Sequence, residues 1–148
     1  MAHDFKKFPE LRNTQMEVYY IDSPHKQIME DFTARVTKVI DGDTIRVKWN
    51  ERNFDFPIRM ARIAAPELGQ AGGLESALWL KNQILNEEVD IRIDPNNRVG
   101  KFGRLIGEIT HMGRNMSDAS IDEGHANIFG SQVEGSIPKL NTIFPETK

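Results

Sequence analysis

The chain has 148 residues, 39% of them apolar and 28% charged, with a net charge of −3 at pH 7. That length suits one domain with a buried core, and the composition excludes wholesale disorder. The absence of cysteine removes disulfide scaffolds, zinc–thiolate centres, iron–sulfur clusters and thiol nucleophiles together. No run approaches the roughly 18 apolar residues of a membrane span. The opening MAHDFKKFPELRNTQ lacks the apolar stretch of a secretory leader, which points to an intracellular protein.

Charge is unevenly spread. Residues 33–113 carry 12 basic and 11 acidic side chains, whereas residues 1–32 and 114–148 each hold two more acids than bases. A protein that grips a long nucleic acid by its backbone shows a strong basic field. Here an anionic ligand would have to be held by a few well-placed cations.

Residues 1–32 read as an N-terminal extension with one strand-like piece, Met16 to Ile21, closed by Asp22-Ser23-Pro24. Residues 33–40 and 44–49 are β-rich runs joined by the tight-turn sequence Asp41-Gly42-Asp43. In the second run Ile45, Val47 and Trp49 share one face and Arg46 and Lys48 the other. A third strand over 54–63 completes an antiparallel meander, and Pro66 stops it. After a glycine-rich loop, a helix over 74–86 is expected, with an apolar stripe of Leu74, Ala77, Leu78, Ile84 and Leu85 and with Leu80 at its margin. Strands follow over 89–93 and 102–110. A short helix over 115–124 ends at Gly124. Residues 131–148 have weak periodicity and read as an irregular tail. The expected fold is mainly β with α (α+β): a five-stranded barrel of the oligonucleotide-binding (OB) type over 33–130, with helices after strand three and near the C-terminus.

Three clusters carry chemistry. Asp41-Gly42-Asp43-Thr44 puts two carboxylates at a turn. The run Ile58 to Glu67 is a strand that carries Arg59 and ends in a carboxylate. Arg98-Val99-Gly100-Lys101-Phe102-Gly103-Arg104 is a glycine-punctuated basic loop entering a strand. Together they supply the parts for phosphodiester chemistry. Two guanidiniums, Arg59 and Arg104, can clamp a phosphate that gains equatorial charge. Glu67 can deprotonate the attacking water, and Asp43 can hold a hard divalent cation. Each part also has an ordinary reading: DGD as a good turn, Arg59 as a surface cross-strand partner, Glu67 as a loop or cap residue. The four histidines show no metal-ligand spacing, and Met16, Met29, Met60, Met112 and Met116 read as packing residues.

Order and spacing add to this. The segments VIDGDT at 39–44, IR with IAAPE at 58–67, GLESA at 73–77, KFGR at 101–104 and NMSDASIDEGHAN at 115–127 resemble the staphylococcal (micrococcal, thermostable) nuclease family over residues 35–129. The resemblance implies a metal-dependent hydrolase that cuts DNA, RNA or both at phosphodiester bonds with little sequence preference, leaving a 3′-phosphate. It implies calcium, with magnesium or manganese as alternatives, on Asp43 and the Ala65 backbone carbonyl, supported by Asp41 and Thr44. Arg59, Glu67 and Arg104 would be catalytic, and Lys101 and Phe102 would contact substrate. The family's second ligand aspartate falls on Ala64, which implies weaker metal binding, a different metal preference or a substitute acid. The family's nucleotide-binding tyrosines have no counterpart, leaving Phe129, Trp49, Tyr19 and Tyr20 as stacking candidates. The alternative reading is a barrel with weakened or lost catalysis that binds nucleic acid or protein.

Overall fold

The computed structural model describes residues 3–100 and 103–129. The strand expected in the extension is instead a helix, α1 (Asn13–Tyr19), running into a 3-10 turn at Tyr20–Asp22. No sheet edge takes up this β-rich run. Val18 and Ile21 point to solvent, so the local helical ladder is what satisfies its backbone.

The barrel begins with β1 (Phe32–Asp41), β2 (Thr44–Lys48) and β3 (Phe56–Met60), an antiparallel meander as the sequence predicts. Ile45 lies opposite both Val39 and Ile58, so the alternating apolar positions meet on the inner face. β4 (Ile63–Ala64) follows, then α2 (Gly73–Ile84) and β5 (Glu88–Arg92), which pairs with β1. β6 (Leu105–His111) runs antiparallel to β5 and parallel to β3, closing the five-stranded OB-type barrel. β7 (Arg114–Asn115) extends β6 as a hairpin, α3 (Met116–Asp122) covers one end, and β8 (Asn127–Ile128) pairs with β4.

Val36, Ile45, Val47, Ile58, Ile91, Leu105 and Ile109 fill the interior. Each such side chain contributes about 1.5–3 kcal/mol by leaving water. On α2 the buried stripe is Ala77, Leu80 and Ile84, while Leu74 and Leu78 face out. The expected stripe was therefore rotated: Leu80, placed at its margin, is the anchor. α3 starts where Asn115 accepts a hydrogen bond from the Asp118 amide at 2.9 Å, an N-cap worth about 1 kcal/mol. Met60 and Met116 are core residues as expected, but Met112 sits exposed at a left-handed position in the β6–β7 turn and Met29 is also exposed.

Candidate active site

The β1–β2 turn carries the two carboxylates to the barrel rim. Its Gly42 lies so close to α2 that a Cβ there would fall 1.9 Å from Ser76 Oγ. Ser76 Oγ in turn donates to the His125 carbonyl at 2.9 Å, so the turn, α2 and the segment after α3 are held together.

Asp43 is the hub. Its Oδ1 accepts the Thr44 hydroxyl at 3.0 Å and its Oδ2 accepts the Ala65 amide at 2.9 Å. The Asp43 carbonyl accepts the Met60 amide at 2.8 Å, and the Asp43 amide donates to Asp41 Oδ1 at 3.2 Å. Antiparallel register sets Thr44 opposite Arg59, and Arg59 Nη2 stands 3.5 Å from Asp43 Oδ2. The parallel β3–β6 pairing sets Arg59 beside Ile106, which brings Arg104 to the same rim. Arg104 Nη1 lies 3.4 Å from Thr44 Oγ1. Asp41, Asp43, Thr44, Arg59, Ala65 and Arg104, predicted from three separate segments, thus converge.

Glu67 lies two residues beyond Ala65 with its side chain exposed. Its backbone is held on both sides: its amide donates to Gln70 Oε1 at 3.0 Å and its carbonyl accepts the Gln70 amide at 2.9 Å. Gly73, at the start of α2, packs on that same carbonyl, 1.8 Å from where a Cβ would sit. Lys101 and Phe102 lie outside the described residues.

The electrostatics set two carboxylates against two guanidiniums at the rim. Burial, then a hydrogen bond with the Asp43 side chain and that side chain's charge, push the Asp41 carboxyl up to about 6. Burial depresses Arg59, Asp43 works against that shift, and the Arg104 charge adds to it. Two guanidiniums that feel one another are stabilised by a shared phosphate. The side-chain oxygen donors at the turn are two carboxylates and the Thr44 hydroxyl, a hard set that suits calcium or magnesium rather than zinc. Ala64 adds none. Among the described residues no group of three or more His, Cys, Asp or Glu side chains gathers to hold a metal.

One residue escaped the sequence reading, and one of its stacking candidates lies at the site. Arg98, grouped there with the basic loop, is buried against Glu10 and does not face the rim. Phe129 extends its half-exposed ring under Arg59, 5.5 Å from ring centre to guanidinium, and lines a cleft of about 770 Å³ beside the site. Its place among the stacking candidates had no spacing to favour it. Of the others, Trp49 is core, packed on Phe32 and facing Arg52, while Tyr19 lies against His3 in the extension.

Over 79 residues, 53% of its length, the chain is 34% identical to a micrococcal nuclease of Shigella flexneri. The chain resembles the micrococcal nucleases. The matched segment spans 42% of that relative, less than half its length. No family model matches the chain. Among the described residues, no helix is long and apolar enough to cross a membrane.

Proposed function

We propose that the protein is a nuclease that hydrolyses phosphodiester bonds of DNA, RNA or both with little sequence preference, assisted by a divalent cation. The observation that carries this reading is the meeting of Arg59 and Arg104 around the buried Asp43, with Thr44 and Ala65 completing the rim. The similarity to micrococcal nuclease supports it.

In this reading Arg59 and Arg104 hold the non-bridging oxygens of the scissile phosphate and stabilise their charge as it grows in the transition state. Glu67 takes a proton from the attacking water. That water's oxygen bonds to phosphorus, the bond to the 5′ oxygen breaks, the departing oxygen takes a proton from solvent water, and the products are a 3′-phosphate and a 5′-hydroxyl. Asp43 and the Ala65 carbonyl would hold the cation, with Asp41 and Thr44 in support; when bound, it supplies positive charge beside the phosphate. Phe129 offers a face on which a base can stack.

A second reading is a barrel that binds nucleic acid without cutting it. Ala64 favours this, as does Arg59 leaning on Asp43, where the guanidinium already balances the carboxylate.

Hydrolysis of single-stranded DNA and RNA, titrated with calcium, magnesium and manganese, separates the two. A nuclease requires metal, loses turnover in Glu67→Gln, and loses about 10²–10³-fold in kcat/KM in Arg104→Ala. Binding that survives in Glu67→Gln, with no turnover in the parent at any metal concentration, would establish the binder.

A further inference from the structure

The turn that presents Arg104 is held from two sides by the extension. On the inner side, Arg98 is 2% exposed and spends its guanidinium there. It pairs with Glu10 at 2.8 Å, donates to the carbonyls of Leu11 and Ile28, and reaches Asn13 Oδ1 at 3.1 Å. Asn13 Nδ2 donates in turn to the Pro95 carbonyl at 2.6 Å. From that anchored Arg98 the loop folds back: its carbonyl accepts the Ile106 amide, and the Gly100 amide donates to the Arg104 carbonyl, each at 2.8 Å. On the outer side, Phe8 lies on Gly103, so close that a Cβ there would be 2.7 Å from Phe8 Cδ1. Gly103 is left-handed, with φ of 73°. Only a glycine both takes that φ without strain and admits the ring.

Arg104 is therefore flanked by one residue clamped under Phe8 and joined through Ile106 to one clamped by Glu10. A guanidinium that must meet a phosphate with bidentate geometry gains from such bracing, because a shift of about 1 Å can cost up to 10²-fold in rate. We propose that residues 8–13 are a buttress for the Arg104 turn, with Phe8 a positioning residue that sets the site's affinity for a nucleic-acid phosphate through Gly103 and Arg104. This rests on the nuclease or binder reading only in naming the ligand. The bracing itself can be read without one.

The test uses the full chain with Phe8→Ala, Phe8→Leu and Arg104→Ala, and the Phe8→Ala/Arg104→Ala double variant. The probe is a short single-stranded DNA with phosphorothioate linkages, read by Kd alongside amide exchange over residues 103–106. Phe8→Ala is expected to weaken binding about tenfold and to speed exchange at the turn while thermal unfolding stays cooperative. Phe8→Leu should restore most of both. In the Arg104→Ala background, Phe8→Ala should cost no further affinity, a coupling that a merely structural role would not give. Unchanged affinity in Phe8→Ala, or losses that add in the double variant, would overturn the proposal. A parent that binds no oligonucleotide would sink the functional reading instead, and the exchange data would then decide the buttress alone: unchanged protection in Phe8→Ala overturns it.

Discussion

Asp43 touches Asp41, Thr44, Arg59 and Ala65, and its two oxygens are already served by Thr44, Ala65 and Arg59. A cation must share those oxygens rather than find them bare, and Ala64 offers no second carboxylate across the turn. Calcium affinity rises with the number of charged ligands. Ala64→Asp is therefore expected to tighten calcium by about tenfold or more, seen as a larger calcium-induced rise in Tm than in the parent, because a ligand bound only by the folded state stabilises it. An identical calcium response in the two proteins would mean that the cation does not sit at Asp43. The residues of this rim were legible in the sequence through their joint order and spacing, because a strand arginine, a carboxylate after proline or paired carboxylates at a turn each has an ordinary reading alone. Arg98 was not. Its neighbours Gly100 and Lys101 made it look like part of a solvated basic loop, and only a distant carboxylate, Glu10, turns it inward.

Elements tie the rim together through side chains that sequence patterns do not pair. Arg62, at a left-handed position between β3 and β4, reaches Glu108 on β6 at 2.5 Å and Asp118 on α3 at 2.9 Å, and Asn115 adds a bond to Glu108. Burial alone would raise the Glu108 pKa. The hydrogen bonds from Arg62 and Asn115 outweigh it and hold the carboxyl below its ordinary value of 4.5. As the pH falls through 4.5 toward that lowered value, the unfolded chain takes up a proton that the folded one refuses, so stability drops. The contribution is whole above the ordinary value and gone below the lowered one. Between about pH 6 and about pH 3, the urea midpoint of Glu108→Gln should fall less than that of the parent; an equal fall would remove this tie from the acid sensitivity. The barrel strands were readable from period-2 alternation, since inward residues such as Ile45 and Val47 face one core. α1 was not, because Val18, Tyr20 and Ile21 favour a strand by type yet find no partner edge. The α2 face misled for a related reason: leucines at 74 and 78 extend a plausible stripe, but the barrel lies against Leu80 and Ile84.

At the scale of the molecule, the ends carry a small excess of acid over a near-neutral middle, and one buried pairing joins the N-terminal end to that middle. Glu10, from the acidic N-terminal stretch, is 2% exposed between Arg52, on the β2–β3 connection, and Arg98, on the β5–β6 connection. Glu10 Oε1 also accepts the Ile28 amide at 3.1 Å. Leu11 and Ile28 seal the cluster from water, and Gln27 closes it by bonding the Leu11 amide and the Pro9 carbonyl. Arg52 additionally lies over the Phe56 ring, 4.5 Å from its centre. Two guanidiniums from separate connections of the barrel thus share one carboxylate supplied by a segment that contributes no barrel strand. A buried pair built this way contributes little net stability compared with apolar packing, but removing one partner leaves buried charge uncompensated, at about 3–5 kcal/mol. Here the loss would strand two cations, with the Arg52 Nε and Nη1 already lacking partners. Glu10→Ala is expected to cost at least that much and to lower Tm by about 10 °C or more, whereas Glu30→Ala, at an exposed position of the same segment, should stay within about 0.5 kcal/mol of the parent. Chemical denaturation of both variants checks it. Near-parental stability in Glu10→Ala would mean that Arg52 and Arg98 reach water or other acceptors when the carboxylate is gone, and that the extension is not pinned to the barrel by charge.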